Sequence, residues 1–295
     1  MSHKGKLCGV FSPLITPFLD EEVAYNKLAE NIEKYNETEL AGYMPLGSNG
    51  EFRSLTDEES LKIVDVIQKS KSPQKTLIVG AGRESAKATL EFIKKLEDKG
   101  ADYVSVLTPH YFTSAMTDEA LIKYYTTLAD QSSIPVLVYN FPKCAGGIVV
   151  SATVVSILAE HPNIVGMKDT SQEDISVYIN AVPDRADFSV LAGTINKFYK
   201  SLLAGAVGGV LSAANYLPEL CCQLYEIYLA GDTNQGQKKD EIIRSLSTLA
   251  SGVAGVKAAM DLLGYFGGDP RIPLSRLDAR SNAKLRGAFE KEGLL

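Results

Sequence analysis

Hydrophobic and polar residues follow one another along this chain in two recurring patterns, a short apolar run and a longer amphipathic stretch. Most apolar runs are rich in Val, Ile, Leu and Tyr, a composition typical of strands that are buried on both faces. These runs predict eight strands. They lie at Gly9–Ile15, Gly42–Leu46, Thr76–Val79, Tyr103–Leu107, Pro135–Tyr139, Ile164–Lys168, Ser189–Ala192 and Gly208–Ser212.

The stretches between the runs have the periodicity and the end signals of helices. Thr56 precedes the acidic residues Asp57–Glu59, an arrangement that caps a helix and complements its dipole. In Ser85–Gly100, apolar and charged residues separate onto two faces, and the closing glycine supplies a left-handed exit. A third helix is predicted to begin at Thr117.

Strand and helix alternate eight times, which predicts a parallel sheet with crossover helices that closes as a (β/α)8 TIM barrel. A doubly wound sheet is the alternative, but it usually has fewer strands, and the first turn lacks a G-x-G-x-x-G sequence. We predict that the barrel occupies residues 1–215 and that residues 216–295 form a helical C-terminal extension. Four segments of the extension are predicted as helices: Leu217–Ala230, Asn234–Leu249, Val253–Leu263 and Ala279–Glu292.

Composition and charge exclude several classes of protein. The chain of 295 residues is 45% hydrophobic and 22% charged, with a net charge of −6. This acidic balance argues against nucleic-acid binding through phosphates and against an anionic membrane surface. No apolar segment approaches the ~20 residues of a membrane helix, and the first residues do not resemble a signal peptide. The expectation is a cytoplasmic protein without nucleic-acid or membrane partners.

Cysteines and histidines give no sign of a disulfide framework or a metal site. The cysteines contain no C-x-x-C pair and are interpreted as reduced, buried thiols. The histidines are isolated from one another, which argues against a zinc or iron site. These residues are Cys8, Cys144, Cys221, Cys222, His3, His110 and His161.

A lysine ends the sixth predicted strand, and in a TIM barrel function is located at the carboxyl ends of the strands. Strand alternation places Lys168 on the same face as Ile164 and Gly166. If that face points inward, desolvation lowers the pKa of the amine and frees its lone pair, as an imine-forming nucleophile requires. The alternative is a lysine that extends to the rim or pairs with Asp169.

Three other strand ends carry candidate groups. The fifth run ends in Tyr139, whose phenol can relay protons, and a core tyrosine with a satisfied hydroxyl is the alternative. After the second run, the glycine-rich segment Gly47–Glu51 has Ser48 and Asn49 at its centre. Converging N–H groups in such a turn can hold a small carboxylate, and a plain strand-to-helix turn is the alternative. Gly205–Ser212 lacks P-loop spacing and is interpreted as close backbone packing.

Three short motifs stand at these strand ends: G-[ST]-x-G-E at Gly47–Glu51, Y-N-x-P at Tyr139–Pro142 and G-x-K-D at Gly166–Asp169. In this order they resemble the motifs of the N-acetylneuraminate lyase and dihydrodipicolinate synthase superfamily, the class I pyruvate-type aldolases. The resemblance extends over nearly the whole chain. It implies a TIM barrel and a lysine Schiff-base mechanism that requires neither a metal nor another cofactor.

Roles for individual residues follow from this resemblance. Lys168 would form a Schiff base with the keto carbon of pyruvate or another 2-oxo acid, and Tyr139 would move protons at that carbon and at the aldol oxygen. Ser48 would connect Tyr139 to bulk solvent through hydroxyls, and together with Asn49 it would hold the carboxylate. The carbonyl of Leu211 matches the backbone acceptor near the bound pyruvate.

The resemblance also implies an oligomer. Thr108–Tyr111 is similar to the family segment whose tyrosine, here Tyr111, reaches into the active site of a neighbouring subunit. The active unit would then be at least a homodimer, and in this family it is usually a homotetramer.

Two positions bear on which branch of the superfamily this chain belongs to. Cys144 occupies the place where the synthase branch carries an arginine for the carboxylate of the aldehyde partner. Thr194 follows Gly193, where the sialic-acid branch carries an Asp-Glu pair. The remaining similarity is to 4-hydroxy-2-oxoglutarate and 2-keto-3-deoxy acid aldolases, and Phe141–Gly147 matches no branch closely.

The expected activity is therefore reversible cleavage of a 4-hydroxy-2-oxo acid to pyruvate and an aldehyde. One alternative is a dihydrodipicolinate synthase, which condenses pyruvate with an aldehyde. A second alternative is a non-catalytic barrel that binds a 2-oxo acid.

Overall fold

The computed structural model describes residues 7–182 and 187–295, so His3 lies outside the described residues. Eight parallel strands alternate with helices and close a barrel in which neighbouring strands follow the order of the chain, as predicted. The strands are β1 (Gly9–Ser12), β2 (Gly42–Tyr43), β3 (Thr76–Gly80), β4 (Tyr103–Leu107), β5 (Val136–Asn140), β6 (Ile164–Asp169), β7 (Ser189–Ala192) and β8 (Gly208–Val210).

The helices in the described residues lie between the strands and after the last one. They are α1 (Tyr25–Asn36), α2 (Asp57–Ser70), α3 (Ala86–Leu96), α4 (Asp118–Gln131), α5 (Ala152–Leu158), α6 (Ser176–Ala181), α7 (Ile195–Leu203), α8 (Pro218–Leu229), α9 (Thr233–Leu249), α10 (Gly252–Leu262) and α11 (Ala279–Lys291). The four helices predicted beyond residue 216 are confirmed to within one residue at each end.

Helix ends form where the side-chain signals predict them. The Thr56 side chain accepts a hydrogen bond from the Glu59 N–H while the Glu59 carboxylate accepts one from the Thr56 N–H, which completes a capping box at α2. Thr117 caps α4 through the N–H of Ala120. Gly100 adopts a φ of 71°, the left-handed exit expected after α3.

The chain divides into two compact units. One comprises the residues up to Gly9 together with Leu77–Val210, and the other comprises Val10–Thr76 together with Leu211–Leu295. The boundary between barrel and extension at residue 215 stays a prediction.

In the first unit, strands β3 to β8 pair in parallel and carry α3 to α7 between them. Tyr139 on β5 is in register with Lys168 on β6, which in turn is in register with Leu191 on β7. The strand β6 is therefore held on both sides along the segment that ends in the lysine. Its residues are buried except at Val165, which is half-buried.

In the second unit, β1 pairs with β2, and α1 is tied to the chain after α10. The Asn31 amide donates to the Phe266 carbonyl at 2.8 Å, and its oxygen accepts from the Phe266 N–H at 2.9 Å. The Tyr35 ring stacks on Tyr265 with 4.9 Å between centroids. These contacts join segments that lie far apart in the sequence.

One predicted strand end and one predicted exposure are wrong for local reasons. The second run was predicted to extend to Leu46, but β2 ends at Tyr43, and Leu46 has a left-handed φ of 59° that a strand does not accommodate.

The prediction of buried thiols holds for Cys221 and Cys222 in α8. It is wrong for Cys144, which is exposed because it belongs to a surface turn after β5.

Among the described residues, no helix is long and apolar enough to cross a membrane.

Gly166 tests how tightly β6 is packed. A Cβ at this position would lie 2.3 Å from the Ser189 carbonyl oxygen and 3.0 Å from Cδ1 of Leu137. We expect Gly166→Ala to lower the free energy of unfolding by about 3 kcal/mol, because both neighbours belong to adjacent strands that cannot move independently. Urea denaturation followed by circular dichroism measures the change.

The matched control is Gly287→Ala in the interior of α11, where no heavy atom lies within 4 Å of the added Cβ. This substitution is expected to raise the free energy of unfolding by about 0.5–1 kcal/mol, since alanine loses less backbone entropy in a helix than glycine. Equal effects of the two substitutions would contradict the close packing of β6.

Candidate active site

The side chain of Lys168 is enclosed at the carboxyl end of β6. The residue is 3% exposed, so it does not extend to solvent at the rim. Desolvation by burial lowers the pKa of its amine to about 7. Each pKa unit corresponds to about 1.4 kcal/mol, so holding this group in the interior costs roughly 5 kcal/mol below pH 7, where the amine is charged in both the folded and the unfolded state. In return, a large fraction of the amine is unprotonated near neutral pH.

Tyr139 forms one wall around this amine. The Nζ of Lys168 lies 4.1 Å from the centroid of the Tyr139 ring, and the tyrosine is itself 3% exposed. A cation over an aromatic face is stabilised by the ring quadrupole, which opposes the loss of the proton. Desolvation by burial is the largest influence on the pKa of Lys168 and lowers it. The structure thus brings two of the predicted site residues together.

A buried polar cluster lies directly beyond these two residues in sequence. Asn140, which follows Tyr139, donates to Oδ1 of Asp169 at 2.9 Å and to the Tyr178 hydroxyl at 3.0 Å. Asp169 follows Lys168, and its Oδ1 also accepts from the Ser171 N–H at 3.1 Å. Strand alternation turns Asn140 and Asp169 away from the face that carries Tyr139 and Lys168. The cluster therefore fixes the ends of β5 and β6 from the opposite side.

The Asp169 carboxyl is poorly solvated in this cluster. Within the described residues, its Oδ2 atom has no hydrogen-bond partner, and the residue is 1% exposed. Burial raises its pKa. Asn140 and Asp169 belong to motifs visible in the sequence, whereas no sequence signal singles out Tyr178.

The Gly47–Glu51 turn lies in the second unit, and two of its N–H groups form hydrogen bonds within the turn itself. The Gly50 N–H donates to the Gly47 carbonyl at 3.1 Å and the Glu51 N–H donates to the Ser48 carbonyl at 3.2 Å. These two donors close the turn, and the role of Ser48 and Asn49 in holding a carboxylate stays a prediction. Ser48 and Asn49 are half-buried, and the Asn49 amide donates to Oγ of Ser212 at 2.7 Å.

Glu51 anchors this turn through a pair that sequence analysis missed. Its Oε1 lies 2.6 Å from Nζ of Lys257, and both side chains are 1% exposed. Its Oε2 accepts from the Arg271 N–H at 2.9 Å. Glu51 itself has a left-handed φ of 53°. A partner so distant in sequence leaves no local pattern that could have revealed it.

Leu211 is fully buried in the second unit. Its N–H donates to the Phe11 carbonyl at 3.0 Å, and its carbonyl accepts from the Ala214 N–H at 2.9 Å. A carbonyl oxygen has two lone pairs, so this one retains capacity for a further donor.

Tyr111 differs from the other candidates because its side chain is exposed. It is 78% exposed, and its ring makes an edge contact with Phe112 at 5.0 Å between centroids. The backbone is held in place, since Oε2 of Glu84 accepts from the N–H groups of His110 and Tyr111 at 2.9 Å each.

Cys144 shares the electrostatic environment of Lys168. Although Cys144 is exposed at the surface, desolvation of its thiol raises the pKa, while the charges of Lys143 and Lys168 act in the opposite direction. The thiol is therefore neutral near pH 7 and provides no fixed charge where an arginine would provide one.

Comparison with known proteins connects this arrangement to one family. A model of the dihydrodipicolinate synthetase family matches residues 6–292. A probable mitochondrial 4-hydroxy-2-oxoglutarate aldolase of Emericella nidulans is 30% identical over 99% of this chain and 96% of its own length. A 4-hydroxy-tetrahydrodipicolinate synthase of Methanopyrus kandleri is 31% identical over 97% of both chains.

Solved structures agree with this assignment over the full length. A monomeric dihydrodipicolinate synthase variant superposes with a TM-score of 0.93 at 25% identity, covering 100% of both chains. YagE, a prophage protein of the dihydrodipicolinic acid synthase family from E. coli K12 in complex with pyruvate, superposes with a TM-score of 0.92 at 25% identity, covering 98% of this chain and 99% of its own.

Replacing Lys168 by methionine tests the cost of the buried amine. The folded amine has a pKa of about 7 and a solvated lysine has one of 10.5, so between these values the unfolded state binds more protons. Below pH 7 the wild-type protein bears the full cost, and Lys168→Met is expected to be more stable by up to roughly 5 kcal/mol. This difference should shrink as the pH rises from 7 to above 10.5. Urea denaturation across this pH range measures it.

The control is Lys143→Met, which removes an exposed lysine from the neighbouring loop. A surface substitution of this kind is expected to change stability by no more than about 0.5 kcal/mol. A stability difference for Lys168→Met that does not vary with pH would show that the amine is solvated in the folded protein.

Proposed function

Since this chain belongs to the dihydrodipicolinate synthetase family of lyases and aldolases, we propose that it reversibly cleaves a 4-hydroxy-2-oxo acid to pyruvate and an aldehyde. The substrate would be 4-hydroxy-2-oxoglutarate or a 2-keto-3-deoxy sugar acid. The observation that carries this proposal is the buried amine of Lys168, which is in contact with the Tyr139 ring and has a pKa of about 7, so that a large fraction is unprotonated near neutral pH.

The proposed reaction begins at the keto group. The Lys168 amine adds to C2 of the substrate, and loss of water from the carbinolamine gives a protonated imine. The C4 hydroxyl then loses its proton, and the C3–C4 bond breaks as its electron pair moves toward the imine nitrogen. An aldehyde and an enamine result. Protonation at C3 and hydrolysis of the imine release pyruvate and restore the amine, so the imine is the electron sink of the reaction.

Tyr139 is the proposed proton carrier in these steps. Water loss from the carbinolamine and proton transfer at the aldol oxygen both require an acid or base within hydrogen-bond reach. A phenol at the end of β5, in register with Lys168, suits this role. Ser48 is proposed to pass protons between Tyr139 and bulk solvent, as the family resemblance implies. Ser48 and Asn49 are proposed to hold the substrate carboxylate, and the Leu211 carbonyl to accept a hydrogen bond near the bound pyruvate.

A synthase that condenses pyruvate with an aldehyde is the second candidate. Relatives of similar identity carry that name, such as the Methanopyrus kandleri protein. Cys144 favours the aldolase assignment, because its neutral thiol cannot bind a carboxylate through two parallel charge-assisted bonds as arginine does. A barrel that only binds a 2-oxo acid does not need an imine-forming amine. Burial that lowers the pKa of Lys168 and reduces the stability of the fold therefore argues against this second alternative.

We propose that the protein acts as a homo-oligomer, at least a dimer. Tyr111 and Phe112 are large aromatic side chains, 78% and 69% exposed, and such pairs in solvent mark contact surfaces. The monomeric synthase variant shows that this fold also occurs without partners. A cytoplasmic location remains a prediction.

Borohydride trapping with pyruvate tests the central step. Reduction of the imine should leave a pyruvate-sized adduct on Lys168, identified by peptide mass spectrometry, and the trapping rate should rise with pH through about 7 as the amine loses its proton. Lys143→Met should retain the adduct and Lys168→Ala should lose it together with turnover. No adduct on the folded wild-type protein would exclude a class I aldolase. An adduct without turnover on any acceptor would favour the binding barrel.

A second experiment addresses the aldehyde partner. Cys144→Arg places a guanidinium at the position where the synthase branch has one. In the condensation direction with pyruvate, we expect this variant to favour glyoxylate over acetaldehyde by about tenfold more than the wild type does, because a carboxylate gains a charge-assisted partner. Lys143→Met serves as the control for an altered loop charge. An unchanged preference would show that Cys144 does not face the acceptor.

A further inference from the structure

A cavity of about 470 Å³ lies in the second unit, bordered by α10, α11 and the hairpin strand Phe18–Leu19. Its size falls within the range of small-molecule sites, about 300–1,000 Å³. Apolar side chains supply much of the lining, among them Phe18, Leu262 and Phe266. None of the residues proposed for catalysis lines it, so it is distinct from the candidate active site.

The charged and polar residues of the lining fall into two groups. Four of them are already engaged: Lys257 with Glu51, Arg276 with Asp269, and Asp261 with the N–H groups of Gly267 and Gly268 at 2.7 and 3.4 Å. These contacts leave little charge available to a ligand.

Two residues of α11 form the second group. Asn282 and Arg286 are spaced by four residues, so they share one face of the helix, and both line the cavity. Within residues 7–182 and 187–295, the structure gives neither the Asn282 amide nor the Arg286 guanidinium a hydrogen bond or an ion pair. A guanidinium next to an amide offers several N–H donors, which matches the acceptors of a carboxylate.

The cavity wall also connects to the turn after β2. Nζ of Lys257 bridges Oε1 of Glu51 at 2.6 Å and the Asp269 carbonyl at 2.7 Å, and it lies 4.5 Å from the centroid of the Phe18 ring. Glu51 closes the Gly47–Glu51 turn. A molecule seated against Lys257 and Phe18 would restrict the motions that open this ion pair.

We propose that this cavity binds a small organic carboxylate with an apolar chain, held by Arg286 and Asn282, and that its binding stabilises the Gly47–Glu51 turn through Lys257. Neither part of the proposal depends on the aldolase activity. A ligand that binds only the closed form lowers the equilibrium constant for local opening by the factor 1 + [L]/Kd, so amide exchange reports the coupling without any substrate.

Hexanoate is the probe, and 1-hexanol and hexylamine are its neutral and cationic counterparts. Saturation-transfer NMR should show saturable binding of hexanoate, weaker binding of hexanol and none of hexylamine. Arg286→Met should weaken hexanoate about tenfold, and Arg286→Lys should restore part of the loss. The control is Arg280→Met, which removes an arginine of α11 that does not line the cavity.

Hydrogen exchange followed by mass spectrometry tests the coupling. Saturating hexanoate should slow exchange in peptides of α10 and in the peptide that contains residues 47–51, and Arg286→Met should strongly reduce both effects at the same concentration. Equal binding of hexanol and hexanoate, or no effect of Arg286→Met, would overturn the carboxylate site. Slower exchange in α10 alone would overturn the connection to the turn.

Discussion

The desolvation of one amine is the constraint on which the candidate site depends. Burying Lys168 costs roughly 5 kcal/mol, a substantial part of the 5–15 kcal/mol that keeps a typical protein folded. The surrounding strands must therefore hold the lysine in place rather than let it extend to water. Paired strands on both sides of β6 and the cluster of Asn140, Asp169 and Tyr178 behind it provide that rigidity. The same burial leaves the nitrogen lone pair available near neutral pH.

Lys257 is a second buried lysine, and unlike Lys168 it is paired with a carboxylate. Lys257 is as inaccessible as Lys168, and desolvation also lowers its pKa, but the carboxylate of Glu51 at 2.6 Å acts in the opposite direction. Such a pair retains charge and ties two distant segments together, because removing either partner leaves an uncompensated ion. For Lys168 the dominant influence is desolvation. One lysine is thus suited to structure and the other to reaction.

The sequence predicts those parts of the molecule that depend on short-range chemistry. Strand β6, the capping box at Thr56 and the left-handed exit at Gly100 follow from neighbouring residues, and all three are present. Alternation predicts that Lys168 shares a face with Gly166 and Ile164, and the burial of the lysine on that face is what the structure adds. The contacts of Lys257 with Glu51 and of Tyr178 with Asn140 could not be predicted, since they join residues that only the folded chain brings together. The exposed Cys144 is a similar case, because residue type alone does not reveal a surface turn.

An amine with a pKa of about 7 is partly unprotonated at pH 7, and its unprotonated form reacts with any electrophilic carbonyl carbon that it meets. Ketones and aldehydes of many kinds form imines with such a group, so the nucleophile itself does not distinguish one metabolite from another. Discrimination must then come from neighbours that admit or refuse a molecule before it reaches the nitrogen. The ring of Tyr139, in contact with Nζ of Lys168, is one such neighbour, and Cys144, close enough to influence the charge of the amine, is a second. If Lys168 acts as proposed, changes among residues of this kind would redirect the same lysine to a new substrate while the barrel that buries it stays intact.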